Sequence, residues 1–326
     1  MNGLFDCAEV ASSIRSGKRL LIAGDEALLS ALPPGDWIGG TIPYFMTDQG
    51  GMQTADRLFV DEMPDAVETV IATYDIDRLP NLCCDHPGHG FTVILLPAFT
   101  AIHEAFAEQV SGFAGLLARP LVGWVSGVAL GDVGRVAPKV FNGTTGRDST
   151  SEAIVMHVVL PESQHASVSL VNLFEQGDGD EISFPDAGFS AATAFVNGEP
   201  VNFASYLTDR AIDPALPLVA VYDAAMVNVS VRSVDTAAGQ VEFYAPVFPR
   251  IKYRIAAPIE DYARSFTARI EDERDPAIFA CNCILNYVHA GLEGRTTGRL
   301  TGPMTFGEIA YRLLNQTAVY LTIEEL

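Results

Sequence analysis

Apolar positions along the chain follow two periods. At 4–16, "LFDCAEVASSIRS" sets Leu4, Val10 and Ile14 near one face of a helix that Gly17 can end. The next run, "RLLIAG" at 19–24, has the length and character of a buried strand. "DEALLSAL" then reads as a helix capped by Asp25 and stopped by Pro33-Pro34. The same order returns further on. "FTVILLP" at 91–97 is a β-branched run ended by proline, and Ile102, Ala105, Phe106, Val110, Phe113 and Leu117 follow at helical spacing. "PLVGWVSG" at 120–127 is a second buried strand. A strand, helix, strand unit of this length packs its helix across a sheet, which predicts α/β layering.

From 136 the pattern changes to strands joined by turns: "VAPKVFNG", "SEAIVMHVVL" and "ASVSLVNLFE". The Gly-, Asp- and Pro-rich "EQGDGDEISFPDAGFS" at 175–190 reads as a boundary. Beyond it, Asn197-Gly198 marks a turn and Pro200 suits the first turn of a helix formed by "VNFASYL". Strand-like segments occupy 217–223, 227–233, 240–244 and 251–256. A helix is predicted over "PIEDYARSFTARIEDE", with Pro258 at its start, Glu260 and Asp261 in its first turn, and Ile259, Tyr262, Phe266 and Ile270 on one face. "AIFACNCIL" at 277–285 reads as a central strand leading into a helix. The expected fold is α/β (mixed α+β): two units, 1–185 and 186–326, each with mixed β-sheets flanked by helices.

Composition narrows the function. Of 326 residues 48% are hydrophobic and 19% charged, the balance of a folded chain. Forty-one acidic against twenty basic residues give a net charge of −21, which repels a phosphate backbone or an anionic bilayer, so neither nucleic acid nor membrane is an expected partner. Asp6 and Glu9 stand where a signal peptide needs a basic and then an apolar segment. The apolar stretch "FTVILLPAF" falls far short of the ~20 residues of a membrane span. A cytoplasmic protein is expected. Five cysteines, odd in number and unevenly spread, read as reduced thiols.

Several motifs hold the residue types of a reactive site. "CCDHPGH" offers Cys83, Cys84, Asp85, His86 and His89, but adjacent cysteines and a Pro-Gly between the histidines are awkward for tetrahedral chelation, so it reads as a polar loop and no cofactor is expected. Cys281 and Cys283 alternate on "FACNCIL" and therefore share a strand face; a nucleophile there needs a base, and His289 is near only in sequence. "GWVSGV" fails the hydrolase elbow because Gly123 stands three residues before Ser126. Asp178 and Asp180 lack the later ligands of a calcium loop and read as a solvated linker.

Two glycine-rich corners remain, "GDWIGGTIPYFMTDQGG" at 35–51 and "TGPMTFGEIAYRLLNQTAVYLTI" at 301–323. In the first, Gly39-Gly40 lets backbone approach a ligand while Thr41 offers a hydroxyl and Trp37 and Tyr44 wall a pocket. In the second, Thr305 and Glu308 flank Gly307; Glu308 can take an ammonium group, with Arg295 or Arg299 for a carboxylate, a pair of charges that suits an amino acid. The alternative is that the glycines serve tight packing and Glu308 binds backbone amides of a neighbouring turn.

Taken in order, fragments of the second half resemble the FIST family of bacterial sensory domains. "AFVNGEPVNFASYL" is similar to the opening of its C-terminal unit, "AAGQVEFYAPVFP" to its glycine-led strand, "IEDYARSFTARI" and "IFACNCIL" to its helix and buried cysteine strand, and "GPMTFGEI" with "LNQTAVYLTI" to its closing corner. "WIGGTIPYF" and "LVGWVSG" match the N-terminal unit more loosely. The family's cysteine-serine-threonine corner is "GGTIP" here, and Asn286 stands near the place of an expected arginine. The resemblance implies a stand-alone sensor that binds a small polar metabolite, amino acids or similar, without turnover and signals through a separate protein. Together with the two corners, the candidate ligand residues are Trp37, Thr41, Tyr44, Cys281, Arg299, Thr305 and Glu308. The alternatives are a hydrolase or transferase using a cysteine or carboxylate in the cleft between units, and a scaffold that acts as a homo-oligomer.

Overall fold

The structure is a computed structural model that describes residues 1–85, 88–222, 225–270 and 276–326. His86 of the "CCDHPGH" loop lies outside the described residues. Among those described, mixed sheets flanked by helices form a mixed α/β fold, as the two hydrophobic periods predict.

The first sheet runs in the order Asn2–Phe5, Leu58–Glu62, Leu20–Gly24, Trp37–Thr41, Val140–Asn142, Arg147–Ser149. Leu20–Gly24 and Trp37–Thr41 are parallel and joined through helix α2 (Glu26–Ser30), capped by the Asp25 side chain on the Ala27 amide. Alternation explains the burial. Leu20 and Ile22 pack outward, with Val10 and Ile14 of helix α1 (Cys7–Arg15), in a small separate core, whereas Leu21 and Ala23 enter the main core. The helix expected from residue 4 starts at Cys7, because Leu4 belongs to an edge strand and Asp6 forms a capping box with Glu9.

The second sheet runs Arg312–Leu314, Glu308–Ala310, Leu121–Ser126, Gly90–Pro97, Ala153–Val159, Glu68–Tyr74. Gly90–Pro97 and Leu121–Ser126 are parallel neighbours across helix α3 (Ala101–Gln109). The third runs Gln164–Val171, Ala318–Glu325, Phe279–Cys283, Gly302–Thr305, Tyr44–Thr47, Gly50–Gln53. It packs on the second: Trp124 stacks on Phe279 with ring centroids 5.7 Å apart, and Cys281 Sγ lies 3.6 Å from the Gly123 carbonyl oxygen. These two sheets draw strands from both sides of residue 185.

The fourth sheet, Glu199–Asn202, Thr193–Val196, Ile182–Ser183, Tyr253–Ile255, Leu218–Tyr222, Ala225–Val229, and a three-stranded sheet of Gly188–Ala191, Gln240–Val247 and Val231–Asp235 complete the fold. Two expectations are corrected here. The stretch 175–190, read as a boundary with a solvated linker at Asp178 and Asp180, is exposed at Asp178 but ordered beyond it: Asp180 accepts hydrogen bonds from Asn197 and Tyr206, Ile182 pairs with Val196 and Tyr253, and Phe184 is buried against Phe203, Phe243 and Tyr253. Its abundant polar residues mask two apolar anchors. Pro200 is not helical: the Asn197-Gly198 turn, with both φ positive, returns the chain as an edge strand that places Pro200 opposite Phe195. An edge tolerates the missing N–H. Helix α4 (Phe203–Asp209) starts after Asn202, whose side chain caps Ser205.

Candidate functional site

Both glycine corners are places where the chain changes sheet. Trp37–Thr41 leaves the first sheet and continues as Tyr44–Thr47 in the third; Gly302–Thr305 leaves the third and continues as Glu308–Ala310 in the second. The two stretches also pair with each other, Gly302 opposite Met46 and Pro303 opposite Phe45. Their glycines are filled by protein. A Cβ on Gly302 would lie 1.9 Å from the Ala280 carbonyl oxygen, and one on Gly40 would lie 3.1 Å from Trp124 Nε1 and 3.2 Å from Ser126 Cβ. Packing against neighbouring strands, which the alternative reading of these glycines invokes, accounts for both.

The second corner turns Glu308 inward. Phe306 N–H donates to the Val125 carbonyl and Val125 N–H to that of Gly307, which fixes the crossing and sets Glu308 opposite Trp124. Glu308 is fully buried between the second and third sheets. The Thr305 hydroxyl donates to Oε1 at 3.2 Å, and the Thr317 hydroxyl and amide donate to Oε2 at 2.9 and 3.3 Å. The Cys283 thiol adds a further hydrogen bond. Burial pushes the Glu308 pKa up to about 8 against the pull of these donors, so the carboxyl is largely protonated at neutral pH. Burial also pushes both Cys281 and Cys283 well above the ordinary thiol range, and Glu308 adds to the shift. The two thiols share a strand face, as alternation requires, yet this environment opposes thiolate formation.

A polar layer leads from this cluster outward. Asn282 Oδ1 accepts from the Cys283 amide at 2.7 Å and from Asn286 Nδ2 at 2.9 Å. Asn286 Oδ1 is buried without a hydrogen-bond partner, and the buried Tyr262 hydroxyl lies beside Asn282 without a well-formed bond. Orphaned buried polar atoms are rare enough to call for a ligand, an ion or a water. Tyr262, Asn286 and Gln316 line a cavity of about 260 Å³ bounded by helices α5 (Tyr262–Ile270) and α6 (Ile284–His289). Its remaining wall carries charges of both signs: Asp213, Glu260, Asp261 and Arg295. Arg295 pairs with Asp261, whose carboxyl is held below its ordinary range by the Arg264 amide and by Arg295. Asp261 thus precedes α5 and accepts from the Arg264 amide at 3.3 Å, rather than lying inside the first turn.

The other expected ligand residues are dispersed. Thr41 lines a separate cavity of about 480 Å³, where its hydroxyl accepts the Lys139 amide at 2.9 Å. That cavity's wall does not include Glu308 or Thr305. Trp37 is buried in the small core, its indole N–H donating to the Pro33 carbonyl at 2.9 Å. The Tyr44 hydroxyl accepts the Leu130 amide at 3.0 Å, and its ring tilts against Tyr287. Cys281 is closed between sheets, and Arg299 is exposed and outside the 260 Å³ cavity's wall. Asn286 and Tyr262 line the 260 Å³ cavity instead. In the sequence one fills an expected arginine's place and the other reads as an ordinary apolar helix position.

One comparison bears on the whole chain: residues 5–324 match a family of unknown function (DUF6976). The protein belongs to that family. No curated protein matches the sequence. Among the described residues no helix is long and apolar enough to cross a membrane, and no three His, Cys, Asp or Glu side chains gather as metal ligands would.

Proposed function

We propose that the protein is an intracellular small-ligand sensor of the kind its resemblance to FIST domains implies, binding an amino acid or similar polar metabolite without turnover and passing the signal to a separate protein. The observation that carries this reading is the 260 Å³ cavity lined by Asn286 and Tyr262, whose buried Oδ1 and hydroxyl have no hydrogen-bond partner just beneath it, and by Arg295 among carboxylates. A zwitterion matches it. Its carboxylate pairs with Arg295, its ammonium with Asp213, Glu260 or Asp261, and a polar side-chain atom meets Asn286. Glu308 lies one layer deeper and holds the floor in place rather than touching the ligand.

The test is a thermal-shift screen over free amino acids, with recovery of each hit after incubation. A binder at one hundred times its Kd adds ~2.7 kcal/mol to the folded state and raises Tm. Arg295→Gln, on the exposed rim, is expected to abolish the shift while leaving the unliganded Tm close to wild type. Consumption of the hit, or a panel with no Tm increase, overturns the reading.

A further inference from the structure

A second cavity, about 180 Å³, lies where helix α3 meets the three-stranded sheet and shares no wall residue with the one above. Phe99, Phe189, Phe243 and Tyr244 give it aromatic walls, and His103 and Arg232 give it polar ones. His103 is 3% exposed. Its Nδ1 accepts the Phe99 amide at 3.3 Å, which places the ring proton on Nε2, and Nε2 is buried without a partner. Burial pushes the His103 pKa down to about 4, so at neutral pH the ring is an uncharged donor with nothing to donate to. The Arg232 guanidinium lies over the Phe99 ring, 4.5 Å from its centroid. Its contact to Glu242 is 3.9 Å, beyond hydrogen-bond length, so its donors remain open to a better acceptor.

The backbone is irregular at the same place. Phe99 has φ +59°, a conformation an aromatic residue adopts only under constraint. The strand pairs carry register shifts between Gly188 and Ser190 and between Val231 and Ser233, beside Phe189, Ser190 and Arg232. Bulges re-aim side chains, and these two bracket residues that line one cavity.

We propose that this cavity binds a small aromatic monocarboxylate, with its carboxylate between Arg232 and the Nε2–H of His103 and its ring among Phe99, Phe189 and Phe243. The size fits, since a cavity of about 150 Å³ already holds benzene. Glu104 and Glu242 on the same wall disfavour a second negative charge and select a monoanion.

Benzoate is the probe, titrated into ¹⁵N-histidine-labelled protein while the ring signals of His103 are followed by NMR. The expected result is a saturable shift of those signals. Benzamide, the uncharged analogue, and the Arg232→Gln variant should each weaken binding by about tenfold or more, the loss of a charge-assisted pair. Ser190→Phe, which fills the cavity from its exposed edge and removes none of the proposed contacts, should abolish binding. Unmoved His103 signals in wild type overturn the proposal. So does benzoate binding that Arg232→Gln and Ser190→Phe leave intact.

Discussion

Glu308 couples folding to pH through the proton it keeps. An unfolded glutamate titrates near 4.5 and this one near 8, so the folded state binds the proton more tightly. The stability this contributes is complete below pH 4.5 and is lost as pH rises through 8, at ~1.4 kcal/mol per unit of pKa difference. His103 acts with the opposite sign. Its depressed pKa contributes stability that is present above 6.5 and lost as pH falls towards 4. Urea midpoints measured from pH 5 to 8 should therefore favour Glu308→Gln over wild type progressively as pH rises; a constant difference between the two proteins would place Glu308 in the ordinary carboxylate range. Thiol labelling reads the same environment. The exposed Cys84 should react first in native protein, and Cys281 and Cys283 should react only on unfolding. Early modification of either buried cysteine would reopen thiol chemistry in the cleft.

Among elements, the closing corner is the most constrained. Gly302 sits so close to the neighbouring strand that an added Cβ would meet the Ala280 carbonyl at 1.9 Å, a backbone atom that cannot step aside. Gly302→Ala should cost at least the upper end of the ~1–3 kcal/mol typical of overpacking. Gly131→Ala, with open space around it, should stay within ~0.5 kcal/mol. Equal urea midpoints for the two variants would refute the packing account of the corner. These cases also mark what sequence patterns can carry. Buried strands such as Leu20–Gly24 and Gly90–Pro97, the Asp25 cap and the shared face of Cys281 and Cys283 follow from local periodicity. The sheet change between Thr305 and Glu308 does not, because nothing local says which partner strand comes next. Ile182 and Phe184 are concealed for a related reason: a two-residue strand has too few positions to show a period. At the site, Arg295 is legible as a charge, whereas the role of Asn286 depends on Asn282 and Thr317 brought to it by the fold.

For the whole molecule, the decisive feature is that the chain returns to sheets it has already built. Residues 308–314 extend the second sheet beyond Leu121–Ser126, and Gly302–Thr305 seats between Tyr44–Thr47 and Phe279–Cys283 in the third. A fragment ending at 185 would expose the Leu121–Ser126 edge and leave Gln164–Val171 without the Ala318–Glu325 strand it pairs with along its full length. Unpaired edges of this apolar character template aggregation. The complementary fragment would lose the strands flanking the Glu308 cluster, and with them any reason to bury its carboxyl. Neither 1–185 nor 186–326 should therefore melt cooperatively when expressed alone, although each spans a conventional domain length. Co-expression should restore a soluble complex with the melting transition of the intact chain. A sharp, reversible transition from the 1–185 fragment by itself would show instead that the early strands form a self-sufficient core, and that the later ones only dock onto it.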